Sequence, residues 1–325
     1  MIATEKDFFN TYAEKWDNEE TVTPEKYRRI IEEAGISKGQ RILDVGTGTG
    51  VLIPYLLEAT EDDVEIFAVD YAGQPCDYRR LREIAEQHDL FLVDDACHAL
   101  GGKYFDRPVG TLADLNTFSF HPVKIITTGE GGMAMTNDAA LAERMALLRS
   151  HGITREPDWM TQASDGPWYY QQIALGYNYR MTEMQAALGL SQMGRLDGYV
   201  ERRNRLARRY DELLATLPVI TPWQHPDAVS SRHLYVIRLR LEVLVLNHRQ
   251  VFEAMRESGI GVNLHYIPVH LQPWYRRMGF LAGQFPEAES YYAEAISLPL
   301  YPAMTDAQQD TVIAALTGAL AAAAA

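Results

Sequence analysis

Val93-Asp-Asp-Ala-Cys-His-Ala-Leu-Gly101, followed by Phe118-Ser-Phe-His-Pro-Val-Lys124 and Thr127-Thr-Gly-Glu-Gly-Gly132, is the stretch on which the fold turns. Leu90-Phe-Leu-Val-Asp94 is an apolar run of strand length, and Asp114 to Phe120 is a second. Each leads into chemically versatile residues: Asp95 and His98 after the first, Ser119 and Lys124 at the second. Open α/β sheets bind ligands at the carboxyl ends of their strands. The reading therefore gathers an acid, an imidazole, a hydroxyl and an amine at one sheet edge. The glycines from Gly129 to Gly132 permit a tight turn with backbone close to a ligand, and hold Lys124 at the strand end facing Asp95.

Around this stretch the pattern is α/β. A helix is expected from Arg79 to His88, a strand from Gly132 to Met135 and a helix from Ala139 to Arg149. Two helices follow, Thr182 to Leu196 and Tyr199 to Leu217, the second amphipathic with Arg202, Arg203, Arg208 and Arg209 on its wet side. A strand-helix-strand segment from His233 to Tyr266 and a last helix near Asp306 to Leu316 make a smaller C-terminal α+β domain. The Ala-rich stretch from Ala314 to Ala325 reads as a fraying helix or a tail.

Composition narrows the functional classes. The chain has 325 residues, a hydrophobic content of 47% and a formal net charge of −14. That length suits two domains, and the acidity argues against nucleic acid, whose phosphates select basic surfaces. Small molecules are the expected partners. Cys76 and Cys97 are too few for a disulfide framework, and no secretory leader is recognisable, which favours a reducing cytoplasm. No apolar run reaches the roughly 18 residues that span a bilayer, so no membrane partner is expected.

Four ordered motifs then carry a resemblance: Val93 to Gly101, Ser119 to Lys124, Thr128 to Met133, and Leu175-Gly-Tyr-Asn-Tyr-Arg-Met-Thr-Glu-Met-Gln-Ala-Ala-Leu-Gly189. In order and spacing they resemble the DegT/StrS family of pyridoxal-phosphate-dependent sugar aminotransferases, over about Tyr71 to Leu320. The segment Gly261-Val-Asn-Leu-His-Tyr-Ile-Pro-Val-His-Leu-Gln-Pro-Trp-Tyr275 is similar to the altrosamine transaminase type, which aminates UDP-4-keto-6-deoxy-N-acetylhexosamines on the way to pseudaminic acid.

The resemblance implies fold type I, a large α/β domain plus a small C-terminal α+β domain. It implies pyridoxal 5'-phosphate as cofactor, and glutamate and a nucleotide sugar as substrates. Lys124 becomes the imine-forming lysine, Asp95 the partner of the pyridine nitrogen, His98 a contact to the ring or its phenolic oxygen, and Ser119 a phosphate ligand. Asn178 would reach the phosphate of a neighbouring subunit in a homodimer. His265, Tyr266 and His270 are the substrate candidates. Each has a plainer alternative: Asp94 as the functional acid, His98 as a structural histidine, Asn178 as a turn residue, and the 265–270 group as packing on a strand that leads into Pro268.

The opening of the chain resembles something else. Phe8-Phe-Asn-Thr-Tyr-Ala-Glu-Lys-Trp16 and Ile42-Leu-Asp-Val-Gly-Thr-Gly-Thr-Gly50 are similar to a class I S-adenosylmethionine methyltransferase. That likeness implies cofactor contacts at Asp44, Gly46, Gly48 and Gly50 and a ribose-binding acid at Asp70, on a Rossmann-like β-α-β unit. The pattern stops at Val69-Asp-Tyr-Ala72, where the aminotransferase pattern begins without that family's N-terminal phosphate-binding helix start and stacking aromatic. The expected organisation is a methyltransferase-like fragment over 1–70, the remainder of the cofactor-binding large domain over 71–215 and a small domain over 216–325. A hybrid of that kind is expected to bind pyridoxal phosphate weakly. A methyltransferase fragment and a non-catalytic scaffold are the competing functions.

Overall fold

The computed structural model describes Arg28, residues 41–43 and residues 65–321. The expected contacts at Asp44, Gly46, Gly48 and Gly50 lie outside the described residues.

Five strands form the larger sheet, and they lie side by side in chain order: β1 (Arg41–Leu43), β2 (Glu65–Val69), β3 (Leu92–Asp95), β4 (Leu115–Ser119) and β5 (Gly132–Met135). The first four run parallel and β5 closes the edge antiparallel to β4. Parallel neighbours need a crossover. Between β2 and β3 it is α1 (Tyr78–Gln87), started by the Asp77 carboxylate accepting the Arg80 N–H at 3.2 Å. Tyr78, Leu81 and Ala85 bury one stripe of that helix against Leu92, Phe118 and Ile126.

The strand that opens the resemblance to an aminotransferase thus pairs directly with the one before it. Ala68 is opposite Asp94 and Val69 opposite Asp95. Strand β3 itself ends one residue later than its apolar run suggests, so Leu92 and Asp94 point into the buried layer while Val93 and Asp95 point to the other face. That alternation separates the two adjacent acids.

After β5 come α2 (Ala139–Arg149), α3 (Glu183–Met193) and α4 (Leu196–Leu214). A capping box between Thr182 and Gln185 starts α3. Beyond α4 a second sheet is antiparallel, with β6 (Val219–Ile220) and β8 (Ala295–Leu298) flanking β7 (Tyr235–Leu239). Three helices cover it: α4, α5 (His248–Glu257) and α7 (Asp306–Ala321), with α6 (Pro286–Glu294) leading into β8. Tyr210, Leu214, Tyr235, Ile237, Met255, Ile296 and Leu316 are almost fully buried there, each such aliphatic side chain contributing about 1.5–3 kcal/mol.

Three expectations change. The Ala-rich stretch is no tail as far as Ala321, because Leu316, Ala319 and Leu320 pack into this core and small alanines let the helix approach closely. Arg203 is buried rather than wet, donating Nη1 to the carbonyls of Arg232 (3.0 Å), His233 (3.3 Å) and Leu300 (2.9 Å). The segment through His265, Tyr266 and His270 is a loop with a single bridge, Asn263 to Ser297, rather than a strand. Its place in the sheet is taken by β8.

Candidate active site

The carboxyl ends of β3 and β4 bring Asp95, Cys97, His98 and Lys124 together. Asp95 lies opposite Thr117 in the parallel ladder, and its Oδ1 accepts the Cys97 N–H at 3.1 Å. Lys124 follows β4 on a turn closed by its own N–H to the His121 carbonyl at 3.0 Å. The Gly-rich turn packs behind it. The Thr128 N–H reaches the Phe120 carbonyl, and the Phe120 N–H reaches that of Gly131. Gly131 stands at φ +155°, where an added Cβ would lie 2.4 Å from the Thr128 hydroxyl.

Electrostatics tie the cluster together. Burial holds the half-buried Lys124 amine below the usual lysine range, while Cys97 and Asp95 pull it back up. Burial pushes the Cys97 thiol up to about 12, reinforced by Asp95, so it stays protonated at neutral pH. His98 is brought down to about 4, first by burial and then by Lys124. It is therefore a neutral imidazole. Its Nδ1 accepts the Ala72 N–H at 3.3 Å, and a backbone N–H can only donate, so the ring proton sits on Nε2.

Lys124 and Asp95 attract each other, yet they close no ion pair among the described residues. Paired charges left apart at a strand edge are what a ring held between an amine and an acid requires. Ser119 ends β4 with its Oγ accepting the His121 N–H at 3.3 Å and its side chain partly open, so it remains available to a phosphate. These residues fit a pyridine ring with an aldehyde and a phosphate.

The other candidates divide. His265 approaches the cluster, and burial, with Lys124 adding to it, lowers its imidazole. Its Nδ1 is 2.7 Å from the Ser297 hydroxyl, and the Tyr71 hydroxyl donates to its carbonyl. Tyr266 lies half-exposed beside it, 6.5 Å from the Tyr71 ring. His270 is elsewhere: buried on a short turn, with Nε2 2.8 Å from the Glu289 carboxylate and its ring 4.7 Å from Phe285. That closed contact leaves it no free nitrogen for substrate on the Glu289 side.

Asn178 is exposed and bridges Ser150, with no contact to Lys124, Asp95 or His98 among the described residues. Leu175, Tyr177 and Tyr179 beside it in the chain, and Met184 and Leu190 on α3, are exposed apolar or aromatic side chains. Asp70 is fully buried, its Oδ1 accepting from the Cys76 N–H (2.9 Å) and the Tyr78 hydroxyl (2.8 Å). A ribose has no access to it there, which corrects the expectation of a sugar-binding acid. Tyr71, Cys97 and His233 are the site neighbours that motif reading passes over. Cys97 was visible as the second residue after Asp95, whereas His233 comes from another part of the chain.

A half-buried lysine facing an acid at the strand ends of a large α/β sheet, with a smaller α+β layer beside it, is the architecture of the fold type I pyridoxal-phosphate enzymes. The chain belongs to the DegT/DnrJ/EryC1/StrS aminotransferase family, whose pattern matches residues 42–317. The match begins at Ile42, so it reaches into the segment that resembles a methyltransferase. An uncharacterised protein of Methanocaldococcus jannaschii, MJ1066, is 41% identical over 249 residues, 76% of this chain and 64% of that protein. The UDP-4-amino-4,6-dideoxy-N-acetyl-beta-L-altrosamine transaminase of Campylobacter jejuni is 35% identical over 252 residues, 77% of this chain and 64% of its own length. The chain thus spans just under two thirds of these relatives. Among solved structures, the sugar aminotransferase Spr1654 of Streptococcus pneumoniae in its PMP form superimposes with a TM-score of 0.77 at 26% identity, covering 91% of this chain and 86% of the other. Among the described residues, no helix is long and apolar enough to cross a membrane, and no cluster of ligands suits a metal ion.

Proposed function

We propose that this chain is an aminotransferase that uses pyridoxal phosphate to move an amino group from glutamate to a nucleotide-linked 4-keto-6-deoxy amino sugar. The observation that carries the reading is the facing, unpaired couple of Lys124 and Asp95 beside the neutral His98. The Campylobacter jejuni relative, named for a UDP-linked amino sugar, supports the substrate class, and the PLP and PMP forms of Spr1654 support the cofactor.

When bound, the cofactor supplies an electron sink that stabilises charge on the donor's α-carbon. The chain's own residues do the rest. Lys124 would hold the cofactor through its aldehyde, and its amine would serve as the base that takes a proton from the donor's α-carbon. Burial keeps that amine more easily deprotonated than a free lysine. Asp95 would keep positive charge on the ring nitrogen, His98 would donate from Nε2 to the ring oxygen, and Ser119 would donate to the phosphate. His265 and Tyr266 would meet the sugar, and Asn178 would serve the site of a second copy, with the exposed apolar side chains near it in sequence forming the dimer contact.

The test is to add pyridoxal phosphate, reduce with borohydride and map the modified peptide. Pyridoxyl label on Lys124, together with glutamate-dependent amination of a UDP-4-keto-6-deoxy-N-acetylhexosamine, supports the proposal. Label elsewhere overturns the assignment of Lys124. No cofactor uptake with S-adenosylmethionine bound instead favours the methyltransferase reading, and binding of neither favours a scaffold. The same titration measures whether the cofactor affinity is weak.

A further inference from the structure

His233 is buried against the site although nothing about it announces a role. Its ring lies 4.4 Å from that of His98 at a tilt of 43°, and its Nδ1 has no hydrogen-bond partner. The segment that delivers it is tied down on three sides. The Ser231 N–H donates to the Gly73 carbonyl at 3.0 Å and the Leu234 N–H to that of Ala72 at 3.3 Å. The Ser231 hydroxyl donates to the His98 carbonyl at 2.7 Å. From behind, Arg203 holds the carbonyls of Arg232 and His233 at 3.0 and 3.3 Å. Arg232 is kept in the left-handed region at φ 52° between these anchors, a conformation that a non-glycine residue holds only when its surroundings over-determine it.

So much local bonding fixes one thing: an imidazole packed at a tilt against His98. The same Ala72 that accepts from Leu234 donates its N–H to His98 Nδ1 at 3.3 Å. One short strap therefore sets both the tautomer of His98 and the place of the ring tilted against it. We propose that His233 is a positioning residue, whose ring covers His98 so that it stays a neutral donor from Nε2. This rests on the reading of His98 as a contact to the cofactor. The charged and titratable groups facing the two rings are Lys124, Asp95, His265 and Arg203, and the Tyr71 ring stands 6.1 Å from His98. Burial lowers both imidazoles, and Lys124 adds to it.

Two variants separate a covering ring from a specific imidazole: His233→Phe keeps a flat ring without nitrogens, and His233→Ala removes it. Nitrogen-15 histidine spectra of the full chain without cofactor read the protonation state of His98 directly, with His98→Gln assigning its signals. In the parent chain and in His233→Phe, His98 is expected to stay neutral, with its proton on Nε2, from pH 8 down to pH 5. In His233→Ala, water reaches the ring and His98 is expected to titrate upward toward the ordinary histidine range of about 6.5. In the cofactor-loaded protein, His233→Ala should lose roughly tenfold in kcat with the sugar KM little changed, and His233→Phe should recover most of it. An unchanged His98 titration in His233→Ala overturns the proposal, as does a His233→Phe chain that behaves like His233→Ala. The spectra need no cofactor, so failure of the aminotransferase reading would appear separately, as absent label on Lys124.

Discussion

Asp94→Asn should make the folded chain more stable at neutral pH. Asp94 lies opposite Ala68 in the ladder, and strand alternation puts Asp70 on that same buried face. Both carboxyls are fully buried. Asp70 Oδ2 and both oxygens of Asp94 have no hydrogen-bond partner among the described residues. Burial pushes the two acids up, and the neighbouring carboxyl adds to the rise at Asp94. Two unsolvated carboxylates side by side are costly, so the pair keeps a proton at pH 7.

In the unfolded chain both acids lose their protons near pH 3.9. The native state then binds more protons than the unfolded one at any pH above that value, and stability falls as pH rises toward the folded pKa. Each retained proton costs about 1.4 kcal/mol per pH unit, or about 2.7 kcal/mol between pH 5 and pH 7. For a chain of 325 residues that is a drop in Tm of roughly 4 °C. Asparagine has no proton to lose, and its amide can donate to the free Oδ2 of Asp70. The assay is thermal unfolding at matched ionic strength across pH 5 to 8, read as the difference between Asp94→Asn and the parent. The gap between the two should widen steadily from pH 5 upward, by about 1.4 kcal/mol per pH unit. Parallel curves would refute the argument, because they would mean that the pair is ionised in the fold.

Three further outcomes follow from the same packing. Arg203→Ala should unfold the chain by about 3 kcal/mol in denaturant titrations, since it strands three buried carbonyls; a change under 1 kcal/mol would show that water replaces the guanidinium. Gly73→Ala should destabilise and loosen the His233 strap, because the residue stands at φ +96° and a Cβ would lie 2.5 Å from the Ser231 hydroxyl and 2.9 Å from two backbone nitrogens; an unchanged Tm would contradict that geometry. Mixing Asn178→Ala with Lys124→Ala chains should restore activity if each site draws on two copies, because one site of the heterodimer is then intact. Heterodimers without activity would count against shared sites.

The parts of the site legible beforehand are those whose chemistry is local. Asp95, His98, Ser119 and Lys124 lie within 30 residues, each at a strand end that hydrophobic runs reveal, and the structure brings Asp95, His98 and Lys124 into one electrostatic cluster. Asp94 and Asp95 show the limit of that method. An apolar run locates a strand but not its last pleat, and only the pairing of Asp94 with Ala68 decides which acid is buried. Arg203 fails for a different reason. A charge on an amphipathic helix reads as wet unless carbonyls from elsewhere meet it, and those of Arg232 and Leu300 come from segments 29 and 97 residues away.

His233 and Tyr71 lie further still from any pattern. His233 is 135 residues after His98 by number, and Tyr71 reaches Tyr291, 220 residues on, at 3.0 Å between hydroxyls. Neither carries a spacing or a motif of its own, because what places them is the meeting of the Tyr71–Gly73 turn with the small-sheet layer. Periodicity describes how one element faces its neighbour. It is silent on which loops two layers press together, and it is there that this chain keeps the groups surrounding its lysine.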